Sequence, residues 1–383
     1  MMKWILSIFV LLTIIALFAF QEGVSEKVNA IKSIDIEANT DKRIAPTKNT
    51  TSDKQLTKIL SNSFESINES HKAISEQTYI VGCEEEFNSL LDELSKSWEL
   101  DIKMGLLENS TDPNEQLTYL IYADLNDEER LSKLINLDGG FPNKRLAHFE
   151  ILRICRMSPQ LEGCNEEVIN RAVESERDNA AMWLEYMYLQ LAKGDNDKVY
   201  WAIENFISSP HYKGFYFQNV ALYLNSFERH DLSSYGDNII FALGILAAKP
   251  TSGFSPLIEW CKKGLGLNPD KSNACLQLGG ALVTQSETQI EALIGLALQE
   301  VIYGYEKNDE AIELLTKKSK DIQDSIPPAL INSAVALSAF DDELAMLWIN
   351  TAIEGGEKLA FEALIREAIL RSKNKDYQPC RKP

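Results

Sequence analysis

The residues of this chain whose number and spacing most directly imply chemistry are its 6 cysteines. They fall as two close pairs, Cys155/Cys164 and Cys261/Cys275, and two outliers, Cys83 and Cys380. An even count in that arrangement reads as a disulfide set, and disulfides persist in oxidising compartments. Metal binding competes poorly, because there is no Cys-x-x-Cys pair and no histidine at ligand spacing from a cysteine. The spacing alone leaves the pairing of Cys83 with Cys380 open. The competing reading is a set of reduced, buried thiols acting as small apolar side chains.

Other reactive residue types form no recognisable constellation. The histidines, His71, His148, His211 and His230, make no metal-spaced pair and no His-Glu-x-x-His. Neither a Gly-x-Ser-x-Gly elbow nor a phosphate-cradling Gly-x-x-x-x-Gly-Lys occurs. No cofactor and no metal is therefore expected. Glu84-Glu85-Glu86 reads as a solvated helix end. The aromatic run Tyr212-Lys213-Gly214-Phe215-Tyr216-Phe217 could stack a sugar or a peptide, but at an irregular junction core packing is the stronger reading. Paired carboxylates of a glycosidase cannot be recognised without geometry. An envelope hydrolase of muralytic type on a helical superhelix thus stands as the alternative to a binding module.

Any such chemistry must be positioned by elements, and the first of these is a targeting segment. Met1–Phe20 carries Lys3 and then an uninterrupted apolar run from Trp4. That run rises about 25 Å as a helix, against a bilayer core of roughly 30 Å. Lys3 ahead of it and nothing basic behind until Lys27 place the remainder outside the cytoplasm. Residues 1–25 are expected to be a signal peptide, cut near Gly23-Val24-Ser25 or less favourably near Val28-Asn29-Ala30, or an uncleaved membrane anchor. Residues 26–78 read as a polar, charge-balanced linker. Leu60, Phe64, Ile67, His71 and Ile74 mark a short amphipathic helix within it. The net charge of −19 therefore sits on 79–383. A body of that sign repels phosphate backbones, which excludes nucleic acid as a partner. Contact with membrane is expected only through the N-terminal segment.

From residue 79 onward the apolar periodicity is helical and no strand alternation appears. Phe87, Leu90, Leu91 and Leu94 share one face. Thr111-Asp112-Pro113-Asn114-Glu115 and Asp127-Glu128-Glu129 are helix starts, and Asp138-Gly139-Gly140-Phe141-Pro142 is a break. An internal spacing near 34 residues relates units beginning at Leu146 and Ala180, and a unit before Asn268-Pro269 gives way to one carrying Leu278-Gly279. Trp183, the Gly194-Asp195 turn, the face of Val199, Ile203 and Phe206, and Pro210 complete one unit. A last unit spans Ile326 to Leu359, with Ala345, Ile349 and Ala352 on its second helix. The stretch His211–Asp237 does not fit the period.

These features resemble the tetratricopeptide repeat, in degenerate form, over about residues 146–360. The resemblance implies an all-α body: a right-handed α-solenoid of helix-turn-helix repeats following the apolar segment and linker. It also implies a concave face that takes a protein or peptide partner. The family's partner-facing positions fall on Glu150, Leu184, Tyr188, Leu276 and Val283, which could equally pack on neighbouring helices. In a stacked solenoid Cys261 and Cys275 occupy facing helices of successive units. Their bond would close a loop of about 15 residues, worth about 3 kcal/mol in the chain-entropy model. Cys155 and Cys164 would tie one unit across the Ser158-Pro159 turn. The expected function is that of an exported or membrane-tethered protein-binding or scaffold module of the cell envelope, in the periplasm or anchored facing outward.

Overall fold

Short polar residues placed ahead of amphipathic runs start most of the helices. The side chains of Asp112, Asn165, Asn179 and Asp195 accept first-turn backbone N–H groups. Asn268, Thr288, Asn308 and Asp341 do the same further on. Each cap satisfies amides the helix itself cannot, at about 1 kcal/mol apiece. Proline stands in the first turn at Pro113, Pro256, Pro269 and Pro328, where its missing N–H costs nothing.

A computed structural model describes residues 79–96, 99–137, 143–230, 235–248 and 254–380, excepting the side chains of 92–101. The chain divides into two units, Met1–Tyr79 and Ile80–Pro383, and all the described helices belong to the second. The expected signal or anchor, the linker and its amphipathic helix lie outside the described residues, as does the 138–142 break. The elements begin with α1 (Glu84–Lys96), α2 (Glu99–Glu108), α3 (Pro113–Tyr122) and α4 (Asp127–Leu137). Next come α5 (Lys144–Met157), α6 (Glu166–Glu174), α7 (Ala180–Lys193) and α8 (Asn196–Ser208). After these stand α9 (Tyr216–Glu228), α10 (Tyr235–Ala248), α11 (Ser255–Lys262) and α12 (Pro269–Gln285). The C-terminal set is α13 (Gln289–Glu306), α14 (Asp309–Gln323), α15 (Pro328–Ser338) and α16 (Asp342–Ser372). Among the described residues the fold is all-α, with a single isolated bridge between Asn179 and His211.

Helices α5 to α8 pack as stacked pairs: α5 on α6 and α7, α6 on α7, and α7 on α8. The repeat spacing becomes a physical contact here. Asn179 accepts the Lys213 N–H at 2.9 Å and donates to the Lys213 carbonyl at 3.0 Å, and these residues are 34 apart. Trp183 fills the space between α7 and α8, edge-on to Trp201, with its indole N–H on the Arg177 carbonyl. Gly194 adopts φ +73° at the turn between them.

The stack is then interrupted. Helices α9 and α10 leave the series and pack on α3 and α16, and α11 and α12 return to α7 and α8. This accounts for the loss of period across His211–Asp237. Helices α12 and α13 approach closely, because Gly279 faces Gly295. A Cβ on Gly279 would lie 2.6 Å from the Gly295 carbonyl oxygen. Ala345, Ile349 and Ala352 are buried on α16. That element is two helices, 342–355 and 357–372, joined where Gly356 takes φ +80° and ψ 178°.

The two ends of the unit meet. Helix α1 packs on α15. The Ser333 hydroxyl bonds Glu84, and the Val81 N–H donates to Ser372 Oγ at 2.9 Å. Cys83 and Cys380 pair across this closure, with Cα atoms 5.5 Å apart. Cys155–Cys164 ties α5 to the residue preceding the α6 cap, and Cys261–Cys275 ties α11 to α12. Their Cα separations of 5.3 and 6.0 Å suit disulfides. The six cysteines are thus all paired, and the three bonds point to an oxidising environment. Among the described residues no helix is long and apolar enough to cross a membrane.

Candidate functional site

Helix α9 has two faces. Val220, Tyr223, Leu224 and Phe227 enter the core. The opposite stripe, Gln218, Ala221, Leu222, Asn225 and Arg229, follows helical spacing and lines a cavity of about 420 Å³. Its other walls are Asn114 of α3, Asn143 and Arg145 at the start of α5, and Ile353 of α16. Leu146, Leu222 and Ile353 give the cleft an apolar component, whereas amide and guanidinium groups supply its polar one. A concave site with a few convergent polar groups is the usual form of a ligand site.

The polar groups differ in how they are engaged. Asn143 donates to Asn114 Oδ1 at 2.7 Å instead of capping α5. Arg229 bonds the Asp112 carboxylate and lies 3.9 Å from Glu115, which also meets His230 Nε2 at 3.2 Å. The hydrogen bond from Arg229 holds the Asp112 carboxyl below its ordinary value. Among the described residues, the side chains of Arg145, Gln218 and Asn225 have no hydrogen-bond or ion-pair partner. An unpaired guanidinium beside two free amides suits a ligand that brings carbonyl or anionic acceptors.

The partner-facing positions expected from the repeat lie elsewhere. Glu150 is buried and forms a two-point pair with Arg153, at 2.7 and 2.8 Å. Leu184 is in the core. Tyr188 is buried, with the Arg156 guanidinium over its ring. Arg156 itself pairs with Glu185, its Nη1 lying 2.9 and 2.7 Å from the two carboxylate oxygens. Leu276 packs against the core, and Val283 sits where α12 meets Gly295 of α13. Glu150, Leu184 and Tyr188 are thus buried between helices, Leu276 and Val283 are partly buried, and none of the five lines the cleft. The aromatic run is likewise mainly core: Tyr212, Phe215 and Phe217 are buried, and Phe215 meets Phe149 at 4.7 Å.

A second polar cluster lies where the segment entering α9 meets the α12–α13 turn and the α16 kink. The Gly214 N–H donates to Glu287 Oε2 at 2.8 Å, and the Gln289 N–H to Glu357 Oε2 at 2.9 Å. Glu291 accepts from the Tyr212 hydroxyl and, at 2.8 Å, from Thr288 Oγ1. Burial pushes Glu287 up to about 7; the Glu291 charge adds to this, while the Gly214 N–H and Lys213 oppose it. Burial also raises Glu291 and Glu357. Among the described residues no group of histidine, cysteine, aspartate or glutamate side chains could hold a metal ion.

Sequence reasoning missed both the cleft and the carboxylate cluster. For the cleft a local signal existed: polar Gln218 and Asn225, with Arg229 just past the helix end, recur on one face of a largely apolar helix. For the cluster none did, since its members come from segments joined only by the fold. The chain matches no known protein family, no characterised protein and no solved structure.

Proposed function

We propose that this chain is an exported or membrane-tethered helical-repeat protein that binds a protein or peptide partner in the cell envelope. The observation that carries this reading is the cleft between α3, α5, α9 and α16, whose Arg145, Gln218 and Asn225 side chains have no partner among the described residues. Free amide side chains match the donor and acceptor of a peptide group, and the apolar patch of Leu146, Leu222 and Ile353 suits an adjoining side chain. The stacked pairs α5–α8 are read as tetratricopeptide-like with right-handed stacking, supported by the Asn179–Lys213 contact across one period. Placement in the periplasm or on an outward-facing anchor is supported by the three disulfides and by Lys3 ahead of the apolar segment.

The hydrolase alternative has Glu287 as its one supporting group, a carboxyl able to act as an acid near neutrality. Its Oε2 is occupied by the Gly214 N–H, and it does not line the cleft, so the binding module is preferred. The test is site-specific photocrosslinking in cells, with the probe placed at Gln218, at Asn225 or at exposed Lys317 of the full-length chain. The expected result is a discrete adduct from the two cleft positions, none from Lys317, and a weaker adduct when Arg145→Glu is added. Equal labelling from Lys317, or none from the cleft, would remove this function.

A further inference from the structure

The glutamate cluster ties together three chain segments that are remote in sequence. Besides the side-chain bonds, the Glu357 N–H donates to the Glu287 carbonyl at 2.9 Å. Gly356 makes the approach possible, since a Cβ there would lie 3.0 Å from that same oxygen. The segment Tyr212–Gly214 leads directly into the cleft stripe that begins at Gln218, and Gly356 comes just after Ile353 of the opposite wall. The junction therefore ties together the segments that adjoin two of the cleft walls, α9 and α16.

Its charges are unbalanced. Glu287, Glu291 and Glu357 are each half-buried, and none has an ion-pair partner among the described residues. The groups acting on them are Tyr212 and Lys213 from the entering segment, Tyr216 from α9, and Glu185 and Tyr188 from α7. Lys213 is the one cation acting on Glu287, and it is exposed. Half-buried acids so arranged resist ionisation through desolvation and mutual repulsion.

We propose that Glu287, Glu291 and Glu357 form a pH-sensitive latch that holds the two cleft walls together when Glu287 is protonated and loosens them when it ionises. This regulation rests on the cleft reading for its consequence, whereas the latch itself stands on the junction. The direction comes from linkage. Closed, Glu287 titrates at about 7; released to water, it returns toward an ordinary value near 4.5. The closed form is thus fully favoured at low pH and loses that advantage as pH rises through about 7.

Hydrogen exchange of the full-length protein at pH 6 and pH 8, corrected for intrinsic rates, reads this directly. Peptides covering 212–218 and 353–358 should lose protection several-fold at pH 8. Glu287→Gln should keep the pH 6 level of protection at both values. Lys213→Gln alters only an exposed side chain and should move the transition to higher pH. Equal wild-type protection at both values, or the same pH dependence in Glu287→Gln, would overturn the latch. Photocrosslinking at Asn225, run at pH 6, reports on the cleft separately. Loss of that adduct with the latch still titrating would strike the ligand reading alone.

Discussion

A buried guanidinium needs a carboxylate within reach, and Arg153 has one in Glu150. The pair is nearly dry, with side-chain exposures of 14% and 3%. Removing one partner of such a pair leaves an uncompensated buried charge. Glu150→Ala should therefore cost about 3 kcal/mol of stability, measured by urea unfolding, and should leave crosslinking at Asn225 intact in the folded fraction. A loss of adduct without loss of stability would return Glu150 to a partner-facing role. The contrast marks what single residues disclose. The cysteine pairs 155/164 and 261/275 were legible because their spacing is local. The role of Glu150 was not, because its repeat position fits a groove and a packed interface alike. Glu287 was invisible: Glu291 lies four residues on, but the burial that shifts it and the contacts from Lys213 and Gly214 are brought to it only by the fold.

Helix starts were the most legible elements, since Asp112-Pro113 and Asn268-Pro269 carry their capping chemistry within a few residues. Less legible was the path of α9 and α10. Their apolar faces announce helices, but nothing local announces α3 and α16 as the surfaces they bury against. The α12–α13 contact depends on a pair of glycines and yields a contrast between neighbours. Gly279→Ala places a Cβ 2.6 Å from the Gly295 carbonyl oxygen, whereas a Cβ on Gly280 meets nothing within 4 Å. Thermal melts followed by circular dichroism should show Gly279→Ala destabilised by about 1–3 kcal/mol through overpacking. Gly280→Ala should be neutral or up to about 1 kcal/mol more stable through helix propensity. Equal effects at the two positions would mean the helices are not in contact there.

For the whole unit, the defining feature is that its ends meet. Solenoid repeats ordinarily touch only their neighbours, but α1 packs on α15, and α9 and α10 bridge α3 to α16. The Cys83–Cys380 bond fastens that closure across a sequence separation of 297. A loop so long restricts the unfolded chain strongly, by on the order of 5 kcal/mol in the chain-entropy model. Such a bond also points to an oxidising compartment. Non-reducing peptide mapping of protein taken from its native compartment is the most direct measurement. The Cys83 and Cys380 peptides should be linked to each other, alongside the 155/164 and 261/275 pairs. Recovery of Cys83 and Cys380 both alkylated without reductant would contradict it.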